Sequence, residues 1–183
     1  MSPWKVLDQE EIWIGPVRLF RDRVRTHTGA ELDYVYRPGP AQAAFILPIL
    51  ASGEAVLIRQ YRHPLGEFLL EIPAGKVEPG EEPVQGAERE LLEETGTKAS
   101  ELIFLAQFRP QPSFTAVWFH AFLALGVEQV SPPAHEDGEL IEPVIVPLPR
   151  LYAALHSGQI ADASTALTLF YAQRALERRG LLK

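Results

Sequence analysis

Three glutamates near the middle of the chain have the type and spacing of metal ligands. Glu90, Glu93 and Glu94 stand at positions i, i+3 and i+4, so their carboxylates share one face of a helix. Like charges at this spacing repel one another and destabilise an isolated helix. A hard divalent cation offsets such repulsion, because Mg²⁺ prefers oxygen ligands and accepts carboxylates together with water and phosphate oxygens. The triplet therefore indicates either a magnesium site or, more simply, an acidic helix face exposed to solvent.

The residues around the triplet predict the helix that carries it. Pro83 suits the first helical turn, and Gly96 suits the position just past the helix end. A helix is therefore predicted over residues 83–95. Apolar side chains on its other side are expected to anchor it to a hydrophobic core, and these are Val84, Leu91 and Leu92.

The elements on both sides of this helix favour an α/β fold. Strands are predicted over residues 12–14, 17–24, 32–36, 44–49, 55–58, 102–108, 117–125 and 142–146. Two helices are predicted to close the chain, over residues 148–157 and 164–179. The first three strands read as a small antiparallel sheet with a turn at Thr28 and Gly29. Arg37-Pro-Gly-Pro divides the chain into a sheet of residues 1–38 and a main domain of residues 39–183.

Composition narrows the class of protein. The chain has 183 residues, which fits one ordinary domain with a small addition. Its net charge of −7 argues against a dedicated nucleic-acid binder, which normally shows a basic face. The absence of cysteine excludes disulfides, thiolate metal sites and a cysteine nucleophile. Apolar runs are too short to cross a bilayer and the start lacks a secretory signal, so a cytoplasmic protein without a membrane partner is expected.

The glutamate triplet belongs to a longer pattern of fixed spacing. The pattern Gly-x5-Glu-x7-Arg-Glu-aliphatic-x-Glu-Glu-x-Gly-aliphatic is the signature of the Nudix family, and this chain resembles it from residue 75 to residue 97. The matching residues are Gly75, Glu81, Arg89, Glu90, Leu91, Glu93, Glu94 and Gly96. Only Thr97 departs, at a position that is structural in the family. The chain is therefore identified as a member of the Nudix family.

This resemblance implies a role for each matching residue. Glu90 and Glu94 are implied as the principal ligands of Mg²⁺, with Mn²⁺ as an alternative cation, and Glu93 shares the metal or water. The carbonyl of Ala74 resembles the backbone ligand of the family. The cations would neutralise a diphosphate and lower the pKa of a bound water.

The remaining residues of the signature are implied as supports for these ligands. Arg89 stands next to Glu90 among the implied catalytic residues, and it is expected to pair with Glu81 and hold the preceding loop against the helix. Gly75 and Gly96 are implied as structural positions on either side of the helix.

Segments outside the signature resemble the ADP-ribose and ADP-sugar pyrophosphatase subfamily. The segments are Leu57-Ile-Arg-Gln-Tyr-Arg62 and Glu71-Ile-Pro-Ala-Gly75, and Pro112 follows Gly96 by sixteen positions, as in that subfamily. The resemblance implies an α/β/α sandwich with a mixed sheet, a small N-terminal sheet that forms a homodimer, and cleavage of ADP-ribose into AMP and a phosphorylated product. Gln111-Pro-Ser-Phe-Thr-Ala-Val117 lacks the acidic pair that many relatives have, so FAD, NADH and nucleotide-sugars stay open as substrates.

Several residues are candidates for contact with such a substrate. Arg59 and Arg62 suit phosphate oxygens, because a guanidinium binds two oxygens at once, although each also suits a salt bridge at a strand edge. Aromatic rings that suit adenine or ribose are Tyr34, Tyr36 and Phe114, with core packing as the alternative, and Ser113 lies in the same segment as Phe114.

The general base is expected in the acidic loop Glu136-Asp-Gly-Glu139, because relatives supply a glutamate from such a loop. Glu139 is favoured, with Glu136 and Asp137 as alternatives, and Gly138 favours a mobile loop. The histidines show no ligand spacing.

Two other functions compete with hydrolysis of ADP-ribose. A Nudix-like module that senses ADP-ribose without cutting it typically lacks a glutamate of the signature, whereas this chain retains all of them. Nucleotide-pool cleaning and cap removal are other Nudix reactions, against which Pro112 and the N-terminal sheet argue. An enzyme of the ADP-ribose pyrophosphatase type is therefore expected.

Overall fold

The computed structural model describes residues 3–15, 17–39, 41–135 and 138–182. Glu136 and Asp137, the alternatives to Glu139 as the general base, lie outside the described residues. The chain forms two compact units. The first consists of Met1–Ala41 with Gln111–Val117, and the second consists of Gln42–Pro110 with Trp118–Lys183.

The first unit contains a three-stranded antiparallel sheet. Its strands are β1 (Lys5–Trp13), β2 (Leu19–Arg25) and β3 (Glu31–Tyr36), in the order β1-β2-β3. A tight turn joins β2 to β3, and Gly29 has the positive φ of 87° that this turn requires. β1 is much longer than the predicted segment 12–14. The prediction was too short because the mainly exposed, acid-rich sequence of this strand lacks an apolar alternation.

The second unit contains the main sheet and the helices of the chain. Before the first helix lie β4 (Gln42–Leu50), β5 (Glu54–Arg62), β6 (Glu67–Glu71) and β7 (Ala74–Lys76). Then follow α1 (Pro83–Thr95), β8 (Thr97–Lys98), β9 (Glu101–Phe108), β10 (Trp118–Gln129), β11 (Ile141–Pro147), α2 (Leu148–His156) and α3 (Ala163–Arg178).

The sheet of this unit is mixed. Its central path is β11-β5-β4-β10-β8, with β6 paired to β5, β7 to β4 and β9 to β10. β4 and β10 run parallel, while the other described pairs are antiparallel. The parallel pair requires a long connection, which includes α1.

Helices cover both faces of this sheet. Successive side chains of β4 point to opposite faces, so Ile46 joins the core cluster that contains Leu91 of α1. Leu47 joins the other cluster, together with Leu151 of α2 and Leu169 of α3. Burying each of these large side chains stabilises the fold by about 1.5–3 kcal/mol. The result is the predicted α/β/α sandwich.

Helix α1 begins and ends as predicted, but it is anchored differently. Gly96 ends the helix in the left-handed region, with φ of 69°, and its N–H donates to the Leu92 carbonyl at 2.8 Å. The expectation that Val84 anchors the helix was wrong, because Val84 lies in the first turn and is 40% exposed. The fully buried anchors are Ala87 and Leu91.

We expect Gly96→Ala to destabilise the protein far more than Gly80→Ala. Both glycines have a positive φ, but a Cβ at Gly96 would lie 2.1 Å from the Ser131 carbonyl, whereas nothing lies within 4 Å of a Cβ at Gly80. Gly80→Ala should cost about 1–2 kcal/mol for the backbone conformation alone, and Gly96→Ala at least about 3 kcal/mol. Urea unfolding of both variants checks this, and equal losses would contradict it.

Candidate active site

The two buried glutamates of the signature face β7. Glu90 is 9% exposed and Glu94 is 2% exposed. The Ala74 N–H donates to Glu94 Oε2 at 2.7 Å. A Cβ at Gly75 would lie 2.0 Å from Glu90 Cδ, so any larger residue there would displace this carboxylate. The signature thus places Gly75 where the backbone of β7 and the helix α1 meet.

Arg89 joins the parts of the signature. Its Nε donates to Glu81 Oε1 at 3.0 Å, and its Nη1 donates to Glu90 Oε1 at 2.8 Å and to Glu93 Oε2 at 2.9 Å. Its Nη2 donates to the Lys76 carbonyl at 2.6 Å. The hydrogen bond to Glu81, followed by those to the other carboxylates, raises the pKa of Arg89 above its usual value. A single guanidinium therefore ties the loop, β7 and α1 together.

Burial makes the acidic groups of the site costly to ionise. It raises the pKa of Glu94 to about 8, with smaller increases from the charges of Glu90 and Glu139, while the Ala74 N–H opposes the change. Burial also raises the pKa of Glu90, against the lowering effect of Arg89. A bound cation would favour the ionised forms of both side chains.

The chemistry of this donor set fits a hard divalent cation. Carboxylates and a backbone carbonyl are the oxygen ligands that Mg²⁺ and Mn²⁺ prefer. Within the described ranges no three acidic or histidine side chains converge as a ready metal cluster, because Glu90 and Glu93 accept from Arg89 while Glu94 accepts from Ala74. Metal binding would therefore exchange these internal contacts for contacts with the cation.

A cavity of about 330 Å³ opens beside these side chains. Its lining includes Gln60, Arg62, Ala74, Glu90, Glu93, His135 and Glu139. Arg62 donates through Nε to Glu71 Oε1 at 2.8 Å and through Nη2 to Glu71 Oε2 at 2.5 Å. Arg62 thus makes the salt bridge that the sequence offered as its alternative role. It does so at the wall of the cavity, and its Nη1 takes no part in the pair with Glu71.

Arg59, the other arginine expected from the sequence to contact phosphate, is not among the residues that line this cavity. The side chains of β5 alternate between faces, and the Arg59 guanidinium lies over the Phe68 ring at 4.7 Å and 3.8 Å from Glu142. The residue that shares the face of Arg62 is Gln60, two positions earlier on the strand. Sequence reasoning missed Gln60, although the alternation of a strand could have identified it.

The candidate substrate contacts from the start of the chain lie in the first unit. The Tyr34 hydroxyl donates to the Ser113 carbonyl at 2.5 Å, and the Tyr36 hydroxyl lies 3.4 Å from Asp22 Oδ1. Phe114 accepts from the Arg37 N–H at 2.9 Å. The structure brings the two tyrosines together with the segment Gln111–Val117, which contains Pro112.

The loop that leads to Glu139 is fastened to α1 and β5. The Ala134 N–H donates to the Glu93 carbonyl at 2.8 Å, and His135 Nε2 lies 3.0 Å from the Glu94 carbonyl. On the far side of the loop, the Leu140 carbonyl accepts from the Tyr61 N–H at 3.0 Å. Glu139 therefore lines the cavity next to the signature glutamates. No sequence spacing pointed to His135.

A comparison of the sequence with models of protein families agrees with this geometry. The NUDIX domain matches residues 39–166. The chain belongs to the Nudix family. The expectation from the sequence signature is thereby confirmed.

Curated relatives of this Nudix protein include an ADP-ribose pyrophosphatase. It is 35% identical over 174 residues to an ADP-ribose pyrophosphatase of Bacillus subtilis, covering 92% of each chain. It is 31% identical over 173 residues to a methanol dehydrogenase activator of Bacillus methanolicus, again covering 92% of each. These similarities confirm the expected subfamily, and the protein is a Nudix hydrolase.

A solved structure confirms the fold class. A crystal structure of an ADP compounds hydrolase superposes with a TM-score of 0.87 at 23% identity, covering 100% of this chain and 98% of the other. In the part of the chain that the structure describes, no helix is long and apolar enough to span a membrane.

The metal-free protein should lose stability as the pH rises from about 5 to about 9. Glu94 has a pKa of about 8 in the folded state against 4.5 ordinarily, so between these two values the unfolded chain has already released a proton that the folded chain retains. The loss attributable to Glu94 should be on the order of 4 kcal/mol. Urea unfolding in EDTA at both pH values checks this.

Two variants isolate the contribution of Glu94. Glu94→Gln should remove that part of the pH dependence, whereas Glu88→Gln, an exposed change on the same helix, should retain it. The same slope in Glu94→Gln and in the unaltered protein would show that burial of Glu94 has no such effect.

Proposed function

We propose that this Nudix hydrolase cleaves the diphosphate bond of ADP-ribose or a related nucleoside diphosphate-X in a Mg²⁺-dependent reaction, giving AMP and a phosphorylated product. FAD, NADH and nucleotide-sugars belong to the same substrate class. The observation that supports this most is the cavity in which Glu90 and Glu93 lie beside Arg62 and Glu139. It combines cation ligands, a phosphate-binding group and a carboxylate outside the signature.

The cation would be held by Glu90, Glu94, Glu93 and the Ala74 carbonyl. When bound, it would supply positive charge that offsets the diphosphate and makes a water molecule more acidic. Arg89 and Glu81 keep the backbone of β7 against α1, through their own pair and through the Lys76 carbonyl. They therefore position the ligands.

Arg62 and Glu139 act on the substrate itself. Glu71 holds Arg62 through Nε and Nη2, so Nη1 can donate to a phosphate oxygen. Glu139 accepts the proton of the attacking water. A glutamate committed to a cation has a lowered pKa and is a poor proton acceptor, so the base is expected outside the signature.

The first unit is proposed to bind the nucleoside and to form a homodimer. Tyr34, Tyr36 and Phe114 supply aromatic faces that suit adenine, with Ser113 and Pro112 in the adjoining segment. Apolar side chains exposed on this unit support a contact with a second copy, and they include Val6, Trp13 and Ile14. The cytoplasmic location expected from the sequence also stays a prediction.

The first prediction of this proposal concerns the cation. With Mg²⁺, the protein should hydrolyse ADP-ribose in preference to 8-oxo-dGTP, in a panel that also includes FAD, NADH and ADP-glucose, with products identified. Glu90→Gln should lower turnover by orders of magnitude while the unfolding transition persists, because a ligand charge is lost and like-charge repulsion is relieved. Full activity in excess EDTA would contradict the proposal, and binding without turnover would favour a sensing role instead.

The second prediction concerns the general base. Glu139→Gln should lower kcat by about 10²-fold or more with little change in KM, the size expected for a general base. Glu136→Gln should cost less, and Glu142→Gln, an exposed change on β11, should act as a neutral control. An inactive Glu136→Gln beside a normal Glu139→Gln would move the role to Glu136. Normal activity in both, and in Asp137→Asn, would leave Glu93 as the base.

A further inference from the structure

Gln60 is a buried polar residue at the wall of the cavity that the proposed mechanism does not use. It lies on β5 two positions before Arg62, lines the same cavity and is only 8% exposed. Its side-chain Oε1 is buried, and the described residues provide no hydrogen-bond partner for it. On the backbone, Gln60 pairs with Ile141, two positions beyond Glu139.

A buried carbonyl oxygen without a donor is costly to the fold. Such a group typically destabilises a protein by about 1–3 kcal/mol, and native structures show few of them. Among the described residues the other buried side-chain oxygen of this kind is Thr168 Oγ1 on α3, which does not line the cavity. The position of Gln60 therefore points to a ligand that completes its hydrogen bonding.

The donors of the two arginines that line this cavity are already in use, except for Arg62 Nη1, which is proposed to serve a phosphate oxygen. Arg62 donates to Glu71, and Arg89 donates to Glu90. A carbonyl oxygen only accepts hydrogen bonds, and the ionised oxygens of a diphosphate also only accept. The phosphates of the substrate therefore cannot satisfy Gln60 Oε1. The partner must carry an O–H or N–H donor close to the diphosphate.

We propose that Gln60 Oε1 accepts a hydrogen bond from a hydroxyl of a sugar attached to the diphosphate, and so determines specificity for sugar-bearing substrates. This inference rests on the proposed hydrolysis of nucleoside diphosphate-X compounds. The hydroxyl can belong to the sugar in X or to the ribose of adenosine. A site that accepts a hydrogen bond from a hydroxyl discriminates against substrates that lack it, because the buried oxygen is then left unpaired.

The test compares Gln60→Met, which removes the amide at similar volume, with Thr168→Val, which removes the other unpaired oxygen. Both variants should be at least as stable as the unaltered protein in urea unfolding, because each loses an unsatisfied polar atom. Only Gln60→Met should lower kcat/KM for ADP-ribose, by about tenfold or more. Gln60→Leu repeats the measurement if the methionine variant fails to fold.

Substrates that lack single hydroxyl groups identify the partner. With the methyl ester of ADP, which has no sugar in X, Gln60→Met should equal the unaltered protein if the hydroxyl lies in X. With an ADP-ribose whose adenosine is 2′- or 3′-deoxy, equal rates for Gln60→Met and the unaltered protein would instead assign the hydroxyl to adenosine. A loss of kcat/KM by the same factor with every substrate would overturn the proposal, because Gln60 would then act on the diphosphate or on water. An amide rotated so that Nε2 replaces Oε1 would act in that way. Unchanged hydrolysis of ADP-ribose by Gln60→Met would overturn it too.

Binding separates this inference from the proposed function. Calorimetry with ADP-ribose and Ca²⁺ in place of Mg²⁺ should show weaker binding for Gln60→Met and unchanged binding for Thr168→Val. If the unaltered protein binds ADP-ribose without hydrolysing it, the proposed hydrolysis fails while weaker binding by Gln60→Met still supports the contact. If it neither binds nor hydrolyses any ADP compound, both proposals fail.

Discussion

The carboxylates of Glu90 and Glu94 are held between α1 and the sheet, where ionised side chains are costly because water is excluded. The neighbouring groups compensate for this cost only in part. Glu94 has one backbone N–H from Ala74, and Glu90 shares the Arg89 guanidinium with two other carboxylates. The remaining imbalance raises the pKa of both glutamates, and a cation bound beside them would relieve it.

The geometry of Arg89 follows from the same constraint. A planar guanidinium presents several N–H groups in fixed directions, so one side chain can serve Glu81, Glu90, Glu93 and the Lys76 carbonyl at once. A lysine would supply the charge without these directions. The fixed spacing of the signature therefore reflects the contacts that Arg89 makes. Glu81 and Arg89 are eight residues apart in sequence, and they meet because β7 and the loop after it run back along α1.

Sequence patterns revealed the elements with strong periodicity and missed those defined by their partners. The helix at residues 83–95 was predicted from Pro83 and Gly96, and the strands β4 and β5 were predicted from their apolar runs. The strands β6, β7 and β8 were missed, because they have only 5, 3 and 2 residues and depend on pairing with longer strands. Thr97, the one departure from the signature, is buried, and its hydroxyl hydrogen-bonds with that of Thr95. That compensation is not visible in a residue type alone.

In the candidate site, too, the sequence revealed local patterns and missed contacts that depend on the fold. Of the signature residues, Gly75, Arg89, Glu90 and Glu93 line the cavity, and the last three share one helix. Choosing between Arg59 and Arg62 required the face of β5, and Gln60 emerged only when burial and hydrogen bonding were known. The tyrosines of β3 lie far in sequence from Ser113, and no local pattern indicates that the two segments meet.

The last turn of α1 has a second use. Carbonyls at a helix end normally lack partners within the helix, and here those of Glu93, Glu94 and Gly96 accept from Ala134, His135 and Val130. The segment that leads to the acidic loop thus replaces solvent at the end of the helix that carries the proposed cation ligands. Substitutions in the last turn of α1 and in residues 130–135 therefore act on shared contacts, so their changes in the free energy of unfolding should not add. Strain introduced in one segment will be shared by the other, and compensating substitutions are to be expected in pairs across this junction.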